Sequence, residues 1–378
     1  MASNWLERHP RISIVAGLVV AFLILDMLFA NGYKLINGHP WADEAGLKVE
    51  RIASTYRTLV KPFHHDLIKN VSVDDARYGH ITYRIRTNSL GFKDRIVRDV
   101  PCVSGKYRLL FIGDSFTEGI AVEYPQTFVG LIDSALAPEG IEVLNAGVAG
   151  YSPIIYWRKI KYLIEDVGLR FDELAVFLDI SDPQDEVRKF CLDDNENVRY
   201  VDNSGSTSGS GSELNGIGVW VRKNTIATFL ALRIVRDLYD QVCVRKPAVV
   251  DHDESRWTTD SASFRAYGRE GLARMEIYMD RLVDLLKEHD IKLMVAVYPW
   301  PSQIYYGDLN SIQVSYWEDW CRKHGVRFLN CFPYFFNRNN GGGRIKEIGK
   351  YYIKGDYHFN ANGHRLIADA FLDFYDKK

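Results

Sequence analysis

The stretch Tyr107-Arg-Leu-Leu-Phe-Ile-Gly-Asp-Ser-Phe-Thr-Glu-Gly119 decides the fold. A short, continuous apolar run (Leu109 to Ile112) ends in a tight Gly-Asp-Ser turn and leads into a helical pattern. Runs of this kind suit strands buried on both faces, as in a parallel sheet. The design recurs along the chain: 141–147 reads IEVLNAG, 173–181 reads ELAVFLDIS, 291–301 reads IKLMVAVYPWP, and 326–330 reads VRFLN. Helical patterns lie between the runs, over Thr127–Leu136, Tyr156–Val167, Ser263–His289 and Gly363–Tyr375. Strand and helix in alternation predict an α/β domain with a parallel sheet and helices on both faces. Ligands of such sheets gather at the carboxyl ends of the strands, where each of the glycine-rich turns falls.

The 378 residues allow one large or two modest domains. Lys+Arg 47 against Asp+Glu 49 gives a net charge of −2. A dedicated nucleic-acid binder, which needs a basic excess, is therefore disfavoured. A hydrophobic share of 47% with 25% charged residues supports a sizeable core and excludes a disordered chain. Five cysteines stand at 102, 191, 243, 321 and 331 without a CxxC, which argues against a structural zinc site or redox dithiol. No HExxH occurs either, so a metal-dependent hydrolase is disfavoured and no cofactor is implied.

Ile12 to Ala30 reads ISIVAGLVVAFLILDMLFA. At 1.5 Å per residue it spans roughly 28 Å, close to the hydrocarbon thickness of a bilayer. Asp26 is its one charge and is expected near the interface. The cleavage pattern of a signal peptide is poor and no polar face repeats at helical spacing, which favours an uncleaved single-pass transmembrane anchor. Arg8 and Arg11 precede the run and Lys34 follows it, so residues 1–11 are expected in the cytoplasm and residue 31 onward outside, in an oxidising compartment that permits disulfides. The pairs Cys321/Cys331 and Cys191/Cys243 are open possibilities. Beyond a lead-in over 31–105, an α/β domain is expected over 106–378. It carries an insertion over about 187–262, whose residues 201–216 are a Ser/Gly low-complexity loop. A mobile lid, a substrate-binding cap, a partner-docking hairpin and an excursion without catalytic role all fit that insertion.

Ser115, just after a buried strand and at the start of a helix, is a candidate nucleophile: the turn exposes its hydroxyl, and the helix start supplies N–H groups for an oxyanion. No Gly-Lys-Ser/Thr follows, so the turn is not a phosphate loop. Asn145-Ala-Gly-Val-Ala-Gly150 ends the next strand, and its glycines let a backbone N–H approach a ligand. Gly355-Asp-Tyr-His358 precedes the last helix; His358 can serve as general base and Asp356 can orient it. His364 is a second-ranked alternative base.

On these motifs, in this order, the chain from about 107 to 378 resembles the SGNH/GDSL hydrolase superfamily. The resemblance implies a flavodoxin-like three-layer α/β/α sandwich, Ser115 as nucleophile with His358 and Asp356, and an oxyanion hole of the Ser115 and Gly150 N–H groups. The family's Gly-x-Asn-Asp block corresponds to Asp179-Ile-Ser-Asp-Pro-Gln-Asp185, which puts Asp182 at the oxyanion-donor position; Ser181 or Gln184 could substitute for it. The Asp-x-His spacing resembles that of polysaccharide O-acetyltransferases of the alginate type, and the anchor resembles members that work beside membrane-bound O-acyltransferases. The expected activity is acyl transfer on an ester, as an esterase or O-acetyltransferase for a cell-envelope carbohydrate. The alternative is a non-catalytic binding or scaffold subunit of a polysaccharide-modifying membrane complex. Tyr298, Trp300, Tyr305 and Tyr306 are candidates for a sugar-stacking wall, and Asn88-Ser-Leu-Gly-Phe92 for a cleft rim.

Overall fold

The apolar runs pair as the alternation predicts. A computed structural model describes residues 9–43, 52–201, 216–243, 248–336 and 344–376. The larger of two compact units, Ile52–Asp202 with Pro247–Lys378, holds a five-stranded sheet. Four strands of the lead-in come first: β1 (Arg57–Val60), β2 (His64–Leu67), β3 (Ser72–Tyr78) and β4 (Ile81–Arg86). The central sheet comprises β5 (Arg108–Ile112), β6 (Glu142–Asn145), β7 (Glu173–Leu178), β10 (Lys292–Val297) and β11 (Arg327–Asn330), with β8 (Phe190–Leu192) and β9 (Val198–Tyr200) forming a hairpin outside it. The spatial order is β11-β10-β7-β5-β6 and every pair is parallel. Counted within the sheet this is the 2-1-3-4-5 order of flavodoxin-like folds. Chain direction across the sheet reverses between β5 and β7, which opens a crevice at their carboxyl ends.

The central strands β5 and β7 are buried at every position because helices cover both faces. Elements α1 (Ser115–Glu118), α2 (Phe128–Leu136), α3 (Pro153–Glu165), α4 (Asp182–Arg188), α5 (Arg269–Glu288), α6 (Pro301–Tyr306), α7 (Ile312–His324), α8 (Arg344–Tyr351) and α9 (Ala361–Tyr375) follow in chain order. α9 packs on α2, and α5 packs on α3 and α4. Phe111 of β5 shows what drives this: fully buried, its ring meets Phe128, Phe177 and Phe371 at 6.2, 5.9 and 5.1 Å. Burying one such side chain stabilises the fold by about 1.5–3 kcal/mol. The flavodoxin-like α/β/α architecture expected from the sequence is the one observed.

From Ile52 onward the lead-in belongs to the larger unit. β1/β2 and β3/β4 are antiparallel hairpins, and Tyr56, Phe63, Leu67, Tyr83, Ile85 and Phe92 join the same core. The stretch Asn88–Phe92 closes a turn in which the Asn88 side-chain oxygen Oδ1 accepts the N–H groups of Leu90 and Phe92. That turn is buried, so it forms part of the framework and not a cleft rim. The region 187–262 divides. β8 and β9 and the segment from Ala248 belong to the α/β unit, whereas the helices Gly216–Asn224 and Ala227–Cys243 belong to the other unit; the Ser/Gly loop lies outside the described residues.

The smaller unit, Met1–Arg51 with Asn203–Lys246, is built on a helix over Pro10–Asn37. Proline at its first position and Gly38 just beyond its end mark the limits; Gly38, at φ +77, donates its N–H to the Lys34 carbonyl. The helix is long and apolar enough to cross a membrane, and its large apolar side chains from Ile12 to Phe29, Met27 apart, are exposed. Among the described residues Cys102, Cys191, Cys321 and Cys331 are free thiols, so the pair Cys321/Cys331 is unbonded.

Candidate active site

Ser115 sits where β5 runs out. Gly113 permits the turn: a Cβ there would lie 2.9 Å from the Phe177 carbonyl oxygen of the neighbouring strand. Asp114 then caps the one-turn helix α1, its Oδ1 accepting the Phe116 N–H at 2.9 Å. The segment before α9 brings the other two side chains across. His358 Nε2 is 2.8 Å from Ser115 Oγ, and His358 Nδ1 is 2.6 Å from Asp356 Oδ1. The same Asp356 oxygen accepts the His358 backbone N–H at 2.8 Å, which locks the Asp-x-His pair into one turn. Burial pushes the Asp356 carboxyl up, but the hydrogen bonds and charge of His358 more than offset this and hold it below the ordinary range. An ionised Asp356 fixes the imidazole tautomer with Nδ1–H toward itself and leaves Nε2 to accept the Ser115 proton.

A lead-in residue completes this chain. Tyr78 Oη, at the end of β3, lies 3.0 Å from Asp356 Oδ2 and 2.9 Å from His358 Nδ1. Burial and the Asp356 charge raise the phenol well above its ordinary range, so Tyr78 stays a donor to Asp356. The imidazole is almost enclosed, with a side-chain exposure of 5%, between the rings of Phe116 and Tyr357 at 5.0 and 4.5 Å. His252 meets Tyr357 edge-on at 4.7 Å, so the segment returning from the insertion walls this side.

The lead-in also braces the loop that carries Gly150. Glu118 of the GDSFTEG turn is fully buried; it takes Arg57 Nη2 at 2.5 Å on one oxygen and the Ala149 N–H at 2.7 Å on the other. His65 Nε2 lies 2.9 Å from the Ala149 carbonyl oxygen. Burial pushes the His65 imidazole down to about 4, so it is neutral and Nε2 carries the donated hydrogen. His64 Nδ1, 2.7 Å from His65 Nδ1, supplies the second half of that tautomer. In a trans peptide the carbonyl and the following N–H point in opposite directions. With the Ala149 carbonyl held by His65, the Gly150 N–H is turned away from it, and it makes no hydrogen bond among the described residues. Gly150 is at φ +81, the left-handed region that favours glycine. Lys93, buried, ties the Gly119 and Val122 carbonyls together at 2.7 Å each, and burial pushes its ammonium down to about 8.

The third block departs from expectation. Asp182 is engaged with other partners. Its side chain turns back into the fold, fully buried, and accepts the Asp179 N–H at 3.0 Å and the Tyr156 hydroxyl at 3.2 Å. Burial, with the charges of Asp179 and Asp114 beside it, raises its carboxyl well above the ordinary range. The substitutes are spent as well: Ser181 donates its hydroxyl and N–H to Asp179 Oδ1 at 2.6 and 2.8 Å, and Gln184 donates to Asp253 at 2.9 Å. The backbone N–H groups of Ser115 and Gly150 make no hydrogen bond among the described residues.

Two further readings change. His364 is buried in α9, accepts the Phe128 N–H at 3.2 Å and is pushed down to about 3 by burial; it ties α9 to the start of α2. Tyr298 and Trp300 are buried as well. Trp300 stacks on Tyr357 at 4.1 Å and donates to Asp179 at 2.7 Å, while Tyr298 donates to Asp114. They are anchors beneath the site, and of the four aromatics only Tyr306 is exposed. His65 and Tyr78 were missed by sequence reasoning, since no local pattern in β2 or β3 announces a residue that acts on a loop so far along the chain.

Known structures resemble the chain at low identity. An acetylxylan esterase from Geobacillus stearothermophilus, solved as a catalytic mutant, is 14% identical over 72% of this chain and 94% of that one, with a TM-score of 0.40. A lipolytic protein assigned to the G-D-S-L family, from Desulfitobacterium hafniense, is 11% identical over 71% of this chain and 98% of that one (TM-score 0.38). A psychrotrophic esterase from Pseudoalteromonas sp., inhibited by monoethylphosphonate, is 12% identical over 71% and 97% (TM-score 0.37). No family model and no curated protein matches the chain.

Proposed function

We propose that this chain is a serine-dependent acyl-transfer enzyme of the SGNH type. The observation that carries the reading is the continuous line Ser115 Oγ to His358 Nε2 and His358 Nδ1 to Asp356 Oδ1, at 2.8 and 2.6 Å, at the carboxyl end of β5. Ser115 Oγ attacks the carbonyl carbon of an ester while its proton passes to His358 Nε2. The carbonyl electrons move onto oxygen, where the N–H groups of Ser115 and Gly150 receive them. The tetrahedral adduct collapses, the ester C–O bond breaks, and the leaving alkoxide takes the proton from His358. The acyl group then passes from Ser115 to water or to a sugar hydroxyl, whose proton goes to His358 and back to Ser115 on release. Asp356, held by Tyr78, stabilises the imidazolium in both halves.

The substrate class we infer is an O-acetyl ester of a cell-envelope carbohydrate, with water as acceptor for an esterase and a glycan hydroxyl for an O-acetyltransferase. The apolar run 12–30 supports a single-pass anchor; Arg8 and Arg11 before it favour residues 1–11 in the cytoplasm and the α/β unit outside, where we infer that it works beside a membrane-bound O-acyltransferase. The test is turnover of a chromogenic acetyl ester by the full chain in detergent, with Ser115→Ala beside it. Loss of turnover in the variant supports the enzyme, and acetyl appearing on an added oligosaccharide favours the transferase. Equal turnover by both proteins contradicts the proposal and leaves a binding or scaffold subunit.

A further inference from the structure

In the smaller unit, the helix Ala227–Cys243 carries an apolar face that nothing among the described residues of its own unit covers. Positions 227, 230, 231, 234, 235 and 238 follow the three-and-four spacing of one helix side and read Ala, Leu, Ala, Ile, Val, Leu. Leu230, Ile234, Val235 and Leu238 are exposed, Val235 by 62%. Arg233 lies off that stripe. The preceding helix Gly216–Asn224 adds an exposed Trp220 and ends in the basic pair Arg222 and Lys223.

The start of the Ala227–Cys243 helix is tied to one level of the N-terminal helix. Asp26 is 6% exposed, and its carboxylate accepts the backbone N–H groups of Ile226, Ala227 and Thr228 at 2.9, 2.8 and 2.8 Å. These are donors that a helix start leaves without partners, at the positive end of the helix dipole. Arg222, one turn earlier, pairs with Asp43 at 2.6 Å. Asp26 lies four residues before Ala30, the end of the apolar run. At the helical rise that is ~6 Å inside the run's outer boundary. Amphipathic helices of the membrane interface bury their apolar face to a depth of about 5–10 Å.

We propose that the Ala227–Cys243 helix lies in the boundary between headgroups and acyl chains, its Leu230/Ile234/Val235/Leu238 face in lipid, held at that depth by Asp26. The proposal rests on the reading that residues 12–30 span a bilayer. Lipid is the occupant because the stripe is fastened to the outer end of an exposed apolar span, and because Trp220, Arg222 and Lys223 beside it are of the types that prefer the membrane–water interface. The same contact accounts for the single charge in the span: a carboxylate at that depth is costly unless satisfied, and three backbone donors satisfy it.

The experiment places a photoreactive benzoylphenylalanine at Val20, Arg233, Ile234 or Leu238 of the full chain, reconstituted in vesicles of phosphatidylcholine and phosphatidylglycerol. Lipid adducts are expected at positions 20, 234 and 238, with about tenfold less at 233 on the polar side of an interfacial helix. Adducts at 20 but none at 234 and 238 overturn the proposal and leave the span standing. Absence of adducts at 20 removes the span and the proposal with it. Crosslinks from 234 or 238 to a second copy of the chain, in place of lipid, overturn it as well.

Discussion

Replacing His65 with Phe should slow acyl transfer although His65 touches neither substrate nor nucleophile. The substitution keeps a ring against Tyr151, whose centroid lies 4.9 Å away, but removes the donor that holds the Ala149 carbonyl at 2.9 Å. The Gly150 N–H belongs to that same peptide group. One neutral hydrogen bond contributes about 1 kcal/mol, and losing an oxyanion donor outright costs 10²–10³ in kcat. Glu118 still grips the Ala149 N–H at 2.7 Å, so the peptide loosens and is not lost. The expected fall in kcat is therefore about fivefold, well short of losing the donor. A positioning role predicts further that KM for a chromogenic acetyl ester changes little and that His65→Gln, whose amide can reach the carbonyl, restores much of the rate. Since His65 is neutral above about 4, the ratio of wild-type to variant rates should be flat from pH 5 to 9. Wild-type kcat in His65→Phe, or a loss equal in Phe and Gln variants, would refute the reasoning.

Three other outcomes follow from the same geometry. Tyr78→Phe removes the donor to Asp356 Oδ2 and should lower kcat about fivefold, the equivalent of one hydrogen bond of ~1 kcal/mol, with a melting temperature lowered by no more than a few degrees; an unaltered kcat would leave Tyr78 without a role in the site. Asp182→Asn should keep activity near wild type and raise the melting temperature over that of wild type more at pH 8 than at pH 4. Its carboxyl pKa is raised in the fold, so the folded state holds its proton longer than the unfolded chain and loses stability as pH rises. A large loss of kcat would show that a charged Asp182 matters to the chemistry. Glu186 accepts the Ile154 N–H and the Ser152 hydroxyl, and burial pushes it up to about 8. Stability should therefore fall from roughly pH 4.5 to 8, by up to ~1.4 kcal/mol per pH unit, and denaturant titrations of Glu186→Gln should show that slope flattened.

What could be read in the sequence was what has a local period or a local turn. Leu109 to Ile112 and Met294 to Val297 read as buried strands because every position is apolar, and parallel pairing with covered faces is what such runs require. Ser115, His358 and Asp356 were found because each lies at the end of such a run or just before a helix, where the fold must turn. The hairpins β1 to β4 were not legible. They are rich in polar and charged residues, and what fixes them is distant: Arg57 on Glu118, Lys159 on Asp66, His65 on Ala149 and Tyr78 on Asp356. Asp182 was misplaced because a motif position says which residue follows the strand but not which way its side chain turns; the buried Asp179 N–H and the Tyr156 hydroxyl decide that. Trp300 and Tyr298 look like a ligand wall by composition, yet large rings at a strand end fill the space under the turn as readily as they face solvent.

The central claim is that the Ser115 hydroxyl is a nucleophile activated by His358. The most direct measurement is covalent capture: the full chain is treated with a fluorophosphonate, and the adduct is mapped by mass spectrometry in wild type, Ser115→Ala and His358→Ala. The account predicts a stoichiometric adduct on Ser115, none in Ser115→Ala, and labelling slowed by at least about 100-fold in His358→Ala, the lower end of what a positioned general base contributes. An unlabelled Ser115, or equal labelling rates with and without His358, would contradict it.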